Sequence, residues 1–181
     1  MAKYDHLMLD LETLSTQSNS VIVTIAAVKF SFDHPEEETF QMNLNPKEGK
    51  ELGLHIDPDT VEWWRNGDRE AMLAWMRSPT SYTDGVTKFH DWLFQDTDSF
   101  DPEKAKVWAQ GIDFDMPIMR SSFALIDKKM PWPFWNQCDS RTIFTVAKFN
   151  TKQAERVGQY HNAVDDCRTQ ISWLKHVLQS N

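Results

Sequence analysis

The chain has 181 residues, 40% of them hydrophobic and 25% charged, with a formal net charge of −8. That length holds one domain with a substantial core, and neither a Pro-, Gly- or Ser-rich linker nor a fixed-period repeat divides it, so residues 1–181 are expected to form a single domain. The acidic balance does not advertise a broad basic face of the kind that binds nucleic acid by salt-dependent phosphate contacts, and no apolar run approaches the ~20 residues of a spanning helix.

From the N-terminus, Tyr4 to Leu11 is a short apolar strand and Ser20 to Phe32, rich in β-branched residues, a second. Glu37 to Leu44 follows a His34-Pro35-Glu36 turn and is expected to be a third, antiparallel edge strand. Helices then dominate. Asp57-Pro58 before Thr60 to Arg65 is a helix start with Asp as cap and Pro in the first turn. Arg69 to Arg77 and Thr83 to Gln95 are further helices, and Ala105 to Gln110 is a short strand. Phe114 to Asp127 is expected to be a helix with Pro117 in its first turn, Pro131 to Trp135 a loop, and Asp139 to Phe149 a segment of mixed signals. Asn162 to Gln179 is the final helix. Three strands followed by alternating helices and short strands predict an α/β fold, a sheet with helices on its faces.

The N-terminus, Met1 to His6, lacks the apolar core of a signal peptide. Cys138 and Cys167 have no metal-type spacing, so they are read as free thiols in a reducing compartment, the cytoplasm.

Asp10 and Glu12 are two apart in the first strand, so their side chains project from one face. Carboxylates on an otherwise apolar strand need a partner, because unpaired buried charge is costly. A divalent cation with a preference for hard oxygen donors is one; a solvated strand end is the alternative. In the last helix Val164, Cys167, Ile171, Leu174 and Leu178 recur at spacings of three and four and form the expected buried stripe. Asp165, Arg168, Thr169, Ser172, Lys175, His176 and Gln179 fill the expected solvated face. Asp166 falls on the flank beside the stripe, with Ala163, Gln170, Trp173 and Val177. Asp165 is thus expected to face water, and Asp166 to face the protein or a site at its edge; a rim carboxylate paired with a base is the other reading of Asp166. His161 precedes the helix with Asn162 as N-cap, a place from which its imidazole can reach a reacting water; a plain surface histidine is the other reading. In Gly111-Ile112-Asp113-Phe114-Asp115 both aspartates stand where helix-capping carboxylates occur, and the local sequence does not choose between them.

Together these pieces resemble the DnaQ-like 3′–5′ exonucleases of the DEDDh type, which have an RNase H-like fold: a mixed sheet opening with three antiparallel strands and flanked by helices. Asp10-Leu11-Glu12-Thr13 is similar to the family's Asp-x-Glu-Thr strand. Phe114-Asp115 is similar to its Phe-Asp element and singles out Asp115. His161-Asn162-Ala163-Val164-Asp165-Asp166 fits His-x-Ala-x-x-Asp and singles out Asp166, as the helix periodicity does. More narrowly, Thr60 to Trp64, Phe134 to Gln137 and Asp139 to Thr142 resemble segments of phage and prophage exodeoxyribonucleases of the DexA or exodeoxyribonuclease VIII-like kind; a bacterial exoribonuclease branch shares the general pattern. Gly111 stands where many members carry Asn, and Ser15 where a Gly is common.

The resemblance implies that Asp10, Glu12, Asp115 and Asp166 hold two divalent cations, Mg²⁺ or Mn²⁺, that His161 is the general base, and that Thr13 lies against the terminal nucleotide. It implies a nucleic acid 3′ end as partner, DNA before RNA, and release of nucleoside 5′-monophosphates. Cations also answer the charge problem, since they supply an attraction for phosphate that a chain of net charge −8 lacks. Low processivity follows as an expectation. Most of the eight tryptophans are read as core, Trp173 included, with Trp63, Trp64, Trp132 and Trp135 as rim candidates; Arg65, Arg120 and Arg141 are candidate phosphate contacts. Three competing readings are an exoribonuclease of the same family, a catalytically idle nucleic-acid-binding module, and an acidic cation-binding domain. The last lacks EF-hand spacing.

Overall fold

Alternation along the first strand, β1 (His6–Thr13), sets the architecture. Leu7, Leu9 and Leu11 point to one side and enter one core, whereas Met8 points to the other and enters a second. Asp10 and Glu12 share the side of Met8. The computed structural model describes residues 2–67, 69–77, 79–158 and 162–179.

β1 pairs antiparallel with β2 (Ile22–Phe30), which pairs antiparallel with β3 (Glu37–Asn43). On its other side β1 runs parallel to β4 (Lys106–Ala109), and β4 runs parallel to β5 (Gln137–Asp139), giving the order β3-β2-β1-β4-β5. This is the mixed sheet expected of an RNase H-like exonuclease fold, with β3 as its antiparallel edge. β2 is buried along its whole length: Val23, Ile25 and Ala27 face the first core, Ala26, Val28 and Phe30 the second. Its one lysine, Lys29, is 1% exposed; the ammonium donates to Glu38 and to the Trp92 carbonyl, both at 2.9 Å, and lies 4.0 Å from the Trp92 ring centre.

The first core is covered by α1 (Pro46–Glu51), α2 (Pro58–Gly67), α3 (Arg69–Met76), α4 (Tyr82–Phe94) and α5 (Ile112–Leu125). Asp57 caps α2 as expected, its carboxylate accepting from the Asp59 amide at 3.0 Å. α1 carries no apolar periodicity and is not foreseen; Asn45 creates it by accepting from the amides of Lys47 and Glu48. α5 begins two residues earlier than expected, so Pro117 lies inside the helix and not in its first turn.

The second core is covered by α6 (Ser140–Val146) and α7 (Ala163–Gln179). The mixed segment after Asp139 is α6, and the Pro/Trp loop ends in a turn of 3₁₀-helix, Phe134–Asn136. In α7 the buried stripe is wider than the periodicity predicts and is displaced toward the flank. Ala163, Gln170, Trp173 and Val177 are all buried, whereas Leu178, expected inside, is 42% exposed. Thr169, expected in water, is fully buried, because the stretch before the helix folds back over it: its hydroxyl accepts from the Val157 amide at 3.0 Å. Among the described residues no helix is long and apolar enough to cross a membrane.

Candidate metal and active site

The parity of β1 puts Asp10 and Glu12 on the face that α7 covers, and the first turn of α7 brings Asp166 down onto them. Carboxylate oxygens of Asp10, Glu12 and Asp166 all lie within 4.8 Å of one another. The helix is started by Asn162, whose side chain accepts from the Asp165 amide at 3.2 Å and whose carbonyl accepts from the Asp166 amide at 2.9 Å. Asp165, one residue away, turns elsewhere. It is as enclosed as its neighbour, at 20% against 16% side-chain exposure, and pairs with Arg168 at 3.6 Å. Direction, not exposure, separates the two, so the expectation that Asp165 faces water is corrected. Asp166 pairs with Arg156.

Asp115 arrives from the other side. β4 is the parallel neighbour of β1, so the helix after it, α5, opens beside the end of β1. Asp115 is 5% exposed in the first turn of that helix and accepts a hydrogen bond from the Leu11 backbone. The amides that start the helix are held from outside: Gly111 and Ile112 donate to Asp139 Oδ1 at 2.8 and 3.2 Å. Neither Asp113 nor Asp115 is needed for that cap. Gly111 has φ 110°, a conformation that Gly adopts freely and Asn tolerates best among the others, which accounts for the kind of residue found there. Asp139 Oδ2 accepts in turn from the amide and hydroxyl of Thr142 at the start of α6, at 2.9 and 2.6 Å. Burial alone would raise this carboxyl, but the donors from Thr142, Gly111 and Ile112 outweigh it and hold Asp139 below the ordinary carboxylate range.

The inner carboxyls behave in the opposite way. Burial, reinforced by the charge of Asp166, pushes Asp10 up to about 7, against the opposing hydrogen bond from Gln170 and the charge of Arg156. Burial, and then the charge of Asp10, raises Asp115 well above the usual range. The buried thiol of Cys167, under the same patch, is raised by burial and then by the charges of Asp10, Asp115, Asp166 and Glu12. The thiol thus lies in the field of all four carboxylates, of which Asp10, Glu12 and Asp166 form the group within 4.8 Å and Asp115 stands outside it.

Gln170, one helical turn beyond Asp166, donates to Asp10 Oδ1 at 3.2 Å. Periodicity puts it on the flank of Asp166, and that shared flank at a spacing of four is the sequence signal for its place beside the site. Arg156 lies in an irregular stretch without periodic pattern, and nothing in the sequence points to it. His161 lies outside the described residues.

Thr13 is buried, its hydroxyl donating to the Ser15 carbonyl at 2.9 Å and its carbonyl accepting from Trp64 Nε1 at 2.9 Å. The turn after β1 is held by Ser15, whose hydroxyl meets His55 Nδ1 at 2.7 Å, so no glycine conformation is required there. A cavity of about 440 Å³ opens beside Glu12 and Thr13, lined by Leu11, Trp63, Trp64 and Phe114. On the far side of Glu12 a polar groove of about 530 Å³ runs past Thr24, Gln41 and Asn43. Of the rim tryptophans, Trp63 and Trp135 are exposed, at 55% and 68%, while Trp64 and Trp132 are core residues. Arg141 donates to the Gln110 carbonyl at 3.0 Å, a structural contact beside the α5 start.

The model of the 3′–5′ exoribonuclease Rv2179c-like domain matches residues 5–178. This chain belongs to that family. It is accordingly a DnaQ-like hydrolytic 3′–5′ exonuclease. The chain is also similar to the exodeoxyribonuclease of Enterobacteria phage T4, 26% identical over 205 aligned residues that span 95% of this chain and 88% of the relative.

Proposed function

We propose that the whole chain acts as one exonuclease domain that removes nucleoside 5′-monophosphates from a 3′ end, DNA in preference to RNA. Asp10, Glu12, Asp115 and Asp166 hold two divalent cations, Mg²⁺ or Mn²⁺, and His161 is the general base. The observation that carries this reading is the meeting of carboxylate oxygens from residues 10, 12 and 166 within 4.8 Å. The donor set fits such ions. It consists of hard oxygens, and Asp10 and Asp115 are both raised by burial and by like charge, a condition that divalent cations relieve. Beside them the buried Gln170 Oε1 has no donor among the described residues, which suits the water that accompanies such ions.

Bound cations supply electrostatic stabilisation for the charge that develops on a phosphodiester in displacement. The chain's own groups do the rest. His161 accepts the proton of the attacking water. The cavity beside Thr13 takes the terminal nucleoside, with the exposed face of Trp63 as a stacking surface for its base. Substrate attraction concentrated at one end, on a chain of net charge −8, favours release after each cut and hence low processivity. The two free thiols suit the cytoplasm.

The preference for DNA follows the named activity of the phage relative. The family description, an exoribonuclease, favours RNA as the second reading. Matched DNA and RNA oligonucleotides carrying 3′ or 5′ labels, incubated with Mg²⁺ or Mn²⁺ and with chelator, test all of this. Mononucleotides should leave from the 3′ end alone, DNA should be degraded faster, and chelator or Asp10→Ala should stop the reaction. Faster loss of RNA would transfer the assignment to the second reading, and release from the 5′ end would end both.

A further inference from the structure

The pairing of Arg156 with Asp166 puts a fixed positive charge on one of the carboxylates assigned above to a cation. It is a built contact. The residues on either side of Arg156 are each fastened to the buried face of α7. The Glu155 carbonyl accepts from Trp173 Nε1 at 2.7 Å. Both the amide and the carbonyl of Val157 meet the Thr169 hydroxyl, at 3.0 and 3.1 Å. Trp173 and Thr169 are core residues of α7, at 5% and 0% exposure, and the Arg156 guanidinium carbon lies 5.9 Å from the Trp173 ring centre. Two anchors on the same helix that carries Asp166 therefore hold the backbone of Arg156 in register with it. The Arg156 side chain is 21% exposed, and it is long enough to leave.

The position has a physical reason. Asp10, Glu12 and Asp166 bring like charges within 4.8 Å of one another at the end of a buried strand, and such a set is costly without positive charge among them. Arg156 offsets part of that cost. Its field reaches Asp10 as well, where it opposes the upward push of burial. But the guanidinium engages part of the acceptor capacity of Asp166 and puts a positive charge against it, and a divalent ion on the same carboxylate repels a guanidinium at this range.

We propose that Arg156 is a placeholder cation: it occupies Asp166 until a divalent ion binds, and must let go of that carboxylate for the ion to be held. This rests on the proposed metal site. It has a sign that a merely structural role for Arg156 lacks. Removing a residue that only supports the site weakens cation binding; removing a competitor strengthens it.

The test is titration of the intact protein with Mn²⁺ in the absence of nucleic acid, followed by electron paramagnetic resonance or calorimetry, for wild type, Arg156→Gln and Arg156→Lys. Arg156→Gln should bind Mn²⁺ roughly tenfold more tightly than wild type at low ionic strength, with a gap that narrows as salt screens the competing charge. Arg156→Lys, which keeps the charge and loses the planar fork, should fall near wild type. Thermal unfolding gives a second readout. Arg156→Gln should melt below wild type in chelator and level with it in saturating Mn²⁺, because the contact it lacks is one that wild type gives up on loading. If wild type binds Mn²⁺ and Arg156→Gln binds it equally or more weakly, or melts lower by the same interval in both conditions, the placeholder role is wrong and the metal site stands. If wild type binds no Mn²⁺, the metal reading fails, and the placeholder fails with it.

Discussion

Gln170 and Asp10 are 160 positions apart in the chain and share a hydrogen bond of 3.2 Å at the floor of the acidic patch. The bond matters because the contacts of β1 and α7 below this point, the packing of Met8, Cys167 and Ile171 and a weak donation from the Cys167 thiol to the Met8 carbonyl at 3.9 Å, do not touch the Asp10 carboxylate. An amide one turn beyond Asp166 fixes it. Gln170→Leu, of similar bulk, should keep the fold and lower Mn²⁺ affinity by about tenfold, the scale on which groups that orient a metal ligand act. Isothermal titration without substrate measures this. Unchanged affinity would show that Asp10 is oriented by its own strand.

The raised carboxyls fix the direction of a pH effect. Asp10 rises from 3.8 to about 7 on folding, and Asp115 rises well above the same starting value. The folded protein therefore retains protons that the unfolded chain releases. Stability is greatest below the unfolded value and declines as pH climbs through about 7, where the folded Asp10 ionises. In chelator the loss between pH 5 and 8 should be on the order of 2–4 kcal/mol. Asp10→Asn should remove a large part of it, and saturating Mn²⁺ should flatten or reverse the slope, since ligands must be deprotonated to bind. Urea midpoints across that range provide the check. Stability that rises with pH in chelator would contradict the burial described for these groups.

The parts of this arrangement that the sequence reveals are those whose environment is set locally. β1 declares its two faces by alternation, and Asp10 and Glu12 inherit their side from it. Asp166 is separated from Asp165 by helix geometry alone. What escapes is set by chain that arrives from elsewhere. Thr169 reads as solvated until residues 155–157 cover it, and Leu178 reads as buried although it stands 42% exposed. Trp64 and Trp132 sit near turns and prolines, the marks of a rim, yet each turns inward. β5 is three residues long and carries no period to detect. The cap on α5 comes from Asp139, 28 positions away from Gly111, so a local search finds the wrong aspartates.

Asp139 serves two helices with one carboxylate, Oδ1 for the start of α5 and Oδ2 for the start of α6. A single cap contributes about 1 kcal/mol. Asp139→Ala should therefore cost about 2 kcal/mol, and it should loosen the helix turn that carries Asp115. Asp139→Asn keeps one acceptor oxygen and turns the other into a donor that faces backbone N–H groups, so it retains the cap of one helix start and should lose about half as much. Chemical denaturation of the two variants separates them. Equal losses would mean that the charge of Asp139, rather than its capping geometry, stabilises the helix starts.

Trp63 and Trp64 are adjacent in α2, with ring centres 5.0 Å apart in an edge-to-face contact, and their substitutions should have unlike consequences. Trp64 is 3% exposed and its indole donates to the Thr13 carbonyl at the end of β1, so Trp64→Ala opens a core cavity and frees a buried acceptor. It should cost about 3–5 kcal/mol of stability. Trp63 is 55% exposed on the wall of the cavity beside Thr13, so Trp63→Ala should leave unfolding nearly unchanged. If the terminal base stacks there, the loss appears in substrate binding, about 1–3 kcal/mol, or a rise in KM of roughly tenfold to a hundredfold with kcat less affected. Steady-state kinetics on a short single-stranded oligonucleotide, beside a melting curve for each variant, distinguishes the two roles. A Trp63→Ala enzyme with unchanged KM would place the base elsewhere, the polar groove past Thr24 and Asn43 being the other opening beside Glu12.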